Sequence, residues 1–281
     1  MVFPFNYSFV QQPRNNPCEE QNLFIVIVVN SGVSNIERRN AIRETWGSMA
    51  TGKETFWPKD HLPLPPIRLL FIVGQNNKMV NEKIQIEAEK YQDIVQGDFQ
   101  DTYKNLTLKS MLGLKYLKLN CLGIRYALKC DDDTFLNLPY FVHFLVEQPL
   151  VRSFLGPLNQ KSQSLRLGKW RVTQNEFPPE VYPPYVSGNA YIMTSDLVKE
   201  IYDTAKYVKP INIDDAYLTG IIPRIIGNVS YVKQDGFHFG NDLPPHVCHV
   251  TMNHMFALTD CSPSVLRRLW HEISNYSPTF C

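Results

Sequence analysis

Short uninterrupted apolar runs alternate along this chain with stretches whose apolar positions recur every three or four residues. The first run, LFIVIVV from Leu23 to Val29, reads as a buried strand. It is far shorter than the ~20 residues a membrane span needs, and no charged leader with a cleavage site precedes it. Ser34-Asn-Ile-Glu37 then forms a Ser-x-x-Glu capping box that opens a helix through RRNAIRETW. A second strand, IRLLFIVG, leads into a charged amphipathic helix, KMVNEKIQIEAEKY. After a short IVQGDF, the segment KNLTLKSMLGLKYLK is apolar on most faces, as a buried helix is, and IRYALK is the next strand. Trp57 to Pro66 holds four prolines and predicts a surface excursion.

Further along, the Pro- and aromatic-rich FPPEVYPPYVSGNAYIM predicts a rigid loop entering a strand. It is followed by SDLVKEIYDTA and by a helix starting at Asp214-Asp215. Ser262 as cap, Pro263 at the first helical position and apolar Val265, Leu266, Leu269, Trp270 and Ile273 make a final amphipathic helix. Continuous strands separated by helices predict a mostly parallel α/β sheet covered on both faces, with ligands beyond the carboxyl ends of the strands. Residues 1–20 carry Asn, Gln and Pro without periodicity and read as a stem-like or disordered segment, leaving 21–281 as one domain. There is no internal repeat.

At one such strand end stand Asp131, Asp132 and Asp133. If strand geometry continues, Asp131 and Asp133 converge on one side and Asp132 points to the other. Two carboxylates sharing a point call for a cation, and all-oxygen ligation favours Mg²⁺, Mn²⁺ or Ca²⁺ over zinc. A solvated or helix-capping acidic loop is the plain alternative. An EF-hand fails because Phe135 and Leu136 stand where a ligand and a glycine are needed. An aspartyl-phosphate phosphatase is a weak rival, since Phe135 replaces its hydroxyl residue. A nucleotide-sugar transferase, whose D-x-D pair holds the metal at the donor's diphosphate, suits the position.

Composition narrows the field. With 44% apolar residues the chain can bury a large core, and 28 basic against 27 acidic residues with no basic run argue against a nucleic-acid partner. Six cysteines in no zinc-site spacing permit disulfides. Sequons at Asn6, Asn105, Asn228 and Asn275, the last weakened by a following proline, agree with a secretory lumen. Cys130 is open between a disulfide, with Cys121 or another cysteine, and a buried thiol.

Six blocks appear in order: ERRNAIRETWGS, LLFIVG, GDFQDTYKNLTLKS, YALKCDDDTFLN, KWRVTQNEFPPEVYPPYVSGNAYIMT and INIDDAYLTGI. From Leu23 to Cys281 the chain thereby resembles the β-1,3-glycosyltransferases, which include β-1,3-galactosyltransferases and β-1,3-N-acetylglucosaminyltransferases. The resemblance implies a GT-A type fold and inverting transfer of a hexose from a UDP-sugar to the 3-hydroxyl of an acceptor on an oligosaccharide, glycoprotein or glycolipid. Galactose is the leading donor sugar, with N-acetylglucosamine and N-acetylgalactosamine as alternatives and an inactive glycan-binding homologue as the non-enzyme one. It implies Mn²⁺, with Mg²⁺ as a substitute. It also implies a single-pass Golgi membrane protein with a lumenal catalytic domain, although no stretch of this sequence matches the anchor.

Carried over residue by residue, Asp133 is the direct metal ligand and Asp131 reaches the metal through water or meets the donor's ribose. His254 in VTMNHM is the further ligand, with His238 and His249 as competitors. Asp215 is the base that takes the acceptor's proton, and Asp214 positions it and raises the cost of ionising both; without the resemblance, either reads as a helix cap. Arg39 and Arg43, one turn apart, are expected near the donor diphosphate, the alternative being a solvated face paired with Glu37 and Glu44. Asp101, Tyr103, Lys109 and Asp132 complete the donor side, where structural ion pairing is the competing role. Trp170, Tyr185, Gly188 and Tyr191 are expected on the acceptor side, where sugars stack on rings. Trp46 and Trp270 read as core.

Overall fold

The computed structural model describes residues 7–20, 22–50, 64–240, 248, 250 and 255–275. Among them the chain runs β1 (Phe9–Gln11), β2 (Ile25–Asn30), α1 (Ile36–Glu44), β3 (Ile67–Gln75), α2 (Lys78–Tyr91), β4 (Ile94–Gln100) and α3 (Leu106–Asn120). Next come β5 (Tyr126–Asp131), β6 (Phe135–Leu136), α4 (Leu138–Glu147), β7 (Ser153–Gly156), β8 (Leu158–Asn159), β9 (Tyr185–Val186) and β10 (Ala190–Thr194). The last part holds α5 (Ser195–Ala205), α6 (Asp214–Ala216), α7 (Ile222–Ile226), β11 (Ser230–Lys233), β12 (Phe237–Phe239), β13 (Ala257–Thr259) and α8 (Pro263–Ser274).

Eight strands form the central sheet in the order β1-β4-β3-β2-β5-β10-β7-β11. The β4-β3-β2-β5 block is parallel, as expected, whereas β10 lies antiparallel to both β5 and β7. Ile25, Ile27 and Val29 of β2 pack on one face with Ala41, Ile42, Ile84 and Leu266; Val26 and Val28 pack on the other with Met111, Leu112 and Ile201. Burial on both faces is why β2 reads as an uninterrupted apolar run. The expected α3 is buried on most of its circumference, and α8 starts as read, with the Ser262 hydroxyl accepting from the Val265 N–H. Trp46 is fully buried and its indole N–H donates to Thr134 O at 3.0 Å, pinning the turn after the aspartates. Trp270 packs against the same core, half-buried.

Two expectations need correction. The N-terminal segment is no free stem from Tyr7 onward: β1 pairs antiparallel with β4, Tyr7 is buried against Phe99, and Cys18 is disulfide-bonded to Cys121 at the end of α3. A bridge across 103 residues removes much unfolded-chain entropy. Cys18→Ser/Cys121→Ser is expected to lose about 4 kcal/mol of stability by denaturant unfolding; a loss under ~1 kcal/mol would sink this. The capping box also fails. Helix α1 starts at Ile36 with Asn35 as cap, and no side chain caps it. Asn35 Nδ2 instead donates to Asp132 Oδ2 at 2.9 Å, while Glu37 turns outward to Arg267 at 2.7 Å. A buried carboxylate from a distant turn outcompetes the local motif.

Cys130 is a free buried thiol, which settles its alternative against a disulfide, and Cys261 is another. Burial first, then the neighbouring aspartates, pushes the Cys130 thiol far above its ordinary range.

Candidate active site

Strand β5 ends at Asp131, and β2 beside it ends at Asn30, in register with that aspartate. Beyond these ends lies a cavity of about 740 Å³ whose wall includes Lys129, Asp131, Lys169, Trp170, Asp214 and Asp215. The sheet fixes its floor. Lys129 and Asp131 lie two apart on β5 and so share a face. The acidic pair heads a helix of three parts, α6, a wide turn over Tyr217–Ile221 with π spacing, and α7, in which Thr219 Oγ1 donates back to Asp215 O at 2.7 Å. Such π turns often mark functional segments.

Lys129 is the hub. Its buried ammonium donates to Asp131 Oδ1 at 2.8 Å and to Gly188 O at 2.5 Å, and it lies 3.9 Å from Asp214 Oδ2. Burial works against its charge, but Asp131 and Asp214 outweigh burial and hold it above its ordinary range. Gly188 returns the link by donating its N–H to Asp215 Oδ2 at 2.9 Å. A Cβ at 188 would stand 3.2 Å from the Asp215 Cβ and 3.3 Å from the Lys129 ammonium, so a larger residue would press on both side chains. Asp214 is buried and accepts from Ser110 Oγ at 2.5 Å. Burial, then repulsion from Asp214, lifts Asp215 to about 6, partly opposed by the N–H groups of Gly188 and Ala216. Burial likewise lifts Asp131 to about 6 against the pull of Lys129.

The three adjacent aspartates have separate surroundings. Asp132 points away from Asp131, as expected, and is buried in the β2–α1 turn, accepting from Ser31 Oγ at 2.7 Å, Gly32 N at 3.2 Å and Asn35 Nδ2 at 2.9 Å. It holds the turn, so its placement on the donor side is corrected. Asp133 faces Arg38, 3.1 Å from its Oδ2, and burial raises its carboxyl.

Further corrections concern the donor side. Arg39 is fully buried, forked onto Glu87 at 2.8 and 2.7 Å, and Arg43 is held by Glu87 at 2.8 Å and by Asp93 at 2.8 and 2.9 Å. Both guanidiniums are committed to these carboxylates, and their partners are not Glu37 and Glu44. Lys109 pairs with Asp101 at 2.7 Å and donates to Ser31 O, while Asp101 accepts from Val33 N and Gly74 N. That pair is structural. Tyr103 stays on the cavity wall, half exposed, with the Lys169 ammonium 5.3 Å from its ring and 5.6 Å from that of Trp170.

Trp170, Tyr185 and Gly188 line the same cavity. Tyr191 does not: it is buried beneath the floor, edge-on to Phe154. His254 and Asn6 lie outside the described residues. Asn228 is exposed, whereas Asn105 is half-buried and donates its side-chain N–H to Gln100 O at 2.8 Å. Sequence reasoning missed Lys129, Arg38 and Lys169. A lone lysine inside an apolar strand, two before an aspartate, was a readable signal for Lys129.

A mostly parallel sheet with flanking helices and acidic side chains at its strand ends is the architecture expected of the GT-A type. Residues 37–233 match the galactosyltransferase family model. The chain is 34% identical, over 83% of its length and 69% of the relative's, to the Rattus norvegicus "UDP-GalNAc:beta-1,3-N-acetylgalactosaminyltransferase 1". It is 28% identical to the Homo sapiens "Beta-1,3-galactosyltransferase 1", over 100% of this chain and 82% of that protein. Among solved structures, the WbbM bifunctional glycosyltransferase in its apo form aligns with 94% of this chain and 51% of that one at 10% identity and a TM-score of 0.45. The chain belongs to the β-1,3-glycosyltransferase family and is a hexosyltransferase, a class that uses a nucleotide-sugar donor and a glycan acceptor. No helix among the described residues is long and apolar enough to cross a membrane.

Proposed function

We propose that the protein transfers a hexose, galactose as the first choice, from a UDP-sugar to the 3-hydroxyl of an acceptor glycan, with inversion. The observation that carries this is the convergence of Asp131 with Asp214 and Asp215 on one cavity, braced by Lys129 and Gly188. Asp215 takes the proton of the incoming hydroxyl; a carboxyl lifted to about 6 suits a base working near neutral pH. Asp214 keeps that carboxyl high and, fixed by Ser110, positions the end of the helix. Trp170 and Tyr185 offer ring faces to the acceptor.

The donor set fits a hard divalent cation, since Asp131 and Asp133 offer carboxylate oxygens that now face Lys129 and Arg38. No group of three or more His, Cys, Asp or Glu able to hold an ion occurs among the described residues. Asp131 and Asp133 would hold a bound Mn²⁺ or Mg²⁺, which would supply positive charge to stabilise the departing UDP. Asp133→Asn is expected to weaken Mn²⁺ binding in the presence of UDP by about tenfold or more. Wild-type affinity by calorimetry would remove Asp133 from the metal.

N-acetylgalactosamine is the second reading for the donor, favoured by the 34% identity to a relative named for UDP-GalNAc. Residence in the Golgi lumen is proposed on the Cys18–Cys121 bridge and the exposed Asn228 sequon. A panel of UDP-sugars with Mn²⁺ and β-linked acceptors tests the whole reading. Turnover with one of these hexoses supports it, and glycan binding without transfer or donor hydrolysis would mark an inactive homologue.

A further inference from the structure

With Arg39 and Arg43 locked behind Glu87 and Asp93, neither is free to meet the donor's diphosphate. One position earlier on α1 stands Arg38, with 35% of its side chain exposed and its Nη1 3.5 Å from Asp132 Oδ1 and 3.1 Å from Asp133 Oδ2. The two carboxylates depend on it unequally. Asp132 has three neutral donors besides Arg38, whereas the Asp133 carboxylate has no other hydrogen-bond or ion-pair partner among the described residues. Arg39, by contrast, spends its guanidinium on Glu87, Ser31, Gly32 and Val33 and has nothing left to exchange.

We propose that Arg38 is an exchangeable counter-ion of the donor site. It neutralises Asp133 while the site is empty, and it turns to the donor's diphosphate when a divalent cation takes over that carboxylate. The inference rests on the assignment of Asp133 as metal ligand made above. A divalent ion carries twice the charge of a guanidinium and competes for the same carboxylate oxygens, so an ion arriving at Asp133 repels Arg38 and loosens its contact with that carboxylate. The displaced group is already at the carboxyl end of the sheet, where the donor binds, and its planar fork matches phosphate oxygens. Arg38 then opposes the bare metal and favours the metal–nucleotide complex.

Opposite signs in two binding measurements test this on the purified chain. For Arg38→Met, the affinity for Mn²⁺ alone, read from the free-ion EPR signal, is expected to rise about threefold or more. Affinity for UDP in saturating Mn²⁺, read by calorimetry, is expected to fall about tenfold. Arg38→Lys should keep UDP affinity within about threefold of the parent because the charge remains. Arg38→Gln, which retains the stem and polarity, guards against a folding defect in the Met variant and should follow the same two signs. If both affinities fall together, or either is unchanged in the folded Met and Gln variants, the exchange is wrong. Asp133→Asn separates the two levels: undiminished Mn²⁺ affinity there overturns the metal assignment and the exchange with it. Weakened Mn²⁺ binding there, with no gain for Arg38→Met, overturns the exchange alone.

Discussion

Asp215→Asn is expected to lower kcat about 10²- to 10⁴-fold, leaving donor KM near the parent value and the fold intact. The base reaction needs the ionised carboxylate, so wild-type kcat/KM should rise with pH through about 6 and then level, following the Asp215 carboxyl. Stability runs the other way. A folded-state value above the unfolded one means that the folded chain holds the proton more tightly. That contribution is therefore fully present below the ordinary carboxyl range and is lost as pH rises through about 6. At neutral pH the ionised side chain costs the fold on the order of 2–3 kcal/mol. Asparagine, which carries no charge, should thus leave the thermal midpoint at pH 7.5 equal to or above the parent's, even with weaker bonds to Gly188 and Ala216. Transfer retained within tenfold by a folded variant would place the base elsewhere; a midpoint several degrees lower would show that the carboxylate stabilises the fold instead.

The second large effect is expected at Lys129. Lys129→Met leaves Asp131 and Asp214 facing each other beneath the cavity without their shared cation, and removing one partner of a buried ion pair costs about 3–5 kcal/mol. A thermal midpoint about 10 °C lower at neutral pH follows, with the deficit shrinking as acid protonates the stranded carboxylates. Activity in the remaining folded protein should fall about 10²-fold, because Gly188 loses its tether and its N–H holds the Asp215 carboxylate. Adding Asp131→Asn should return much of the stability and none of the transfer. A single Lys129→Met variant as stable as its parent between pH 5 and 8 would remove the lysine from this role.

Periodicity made the sheet legible because a strand buried on both faces is largely apolar, and β2, β3 and β5 follow that pattern apart from Arg68, Lys129 and their polar last residues. What it could not show was the reversal at β10, since a buried antiparallel strand has the same pattern as a parallel one. At the site, Asp131 and Asp215 were readable from motifs, and the structure brings both to one cavity. The arginines were not. Arg38, Arg39 and Arg43 occupy one helix, and their roles are decided by Glu87, Asp93 and Asp133, which come from α2, the turn before β4 and the end of β5. Sequence spacing gives which residues share a helix face, not which charges the rest of the fold brings against it. The N-terminal segment was misread for a related reason. Its order derives from an edge of β4 and a cysteine 103 residues along the chain, and neither leaves a local trace.

Cys130 adjoins Asp131 on the strand that floors the cavity, with its thiol fully buried and kept protonated. A small alkylating reagent reaches it only when β5 parts from its neighbours, so its rate of modification is a clock on how often the centre of the sheet breathes. Ligands that brace the strand end slow that clock; ligands confined to the rim, around Trp170 and Tyr185, leave it running.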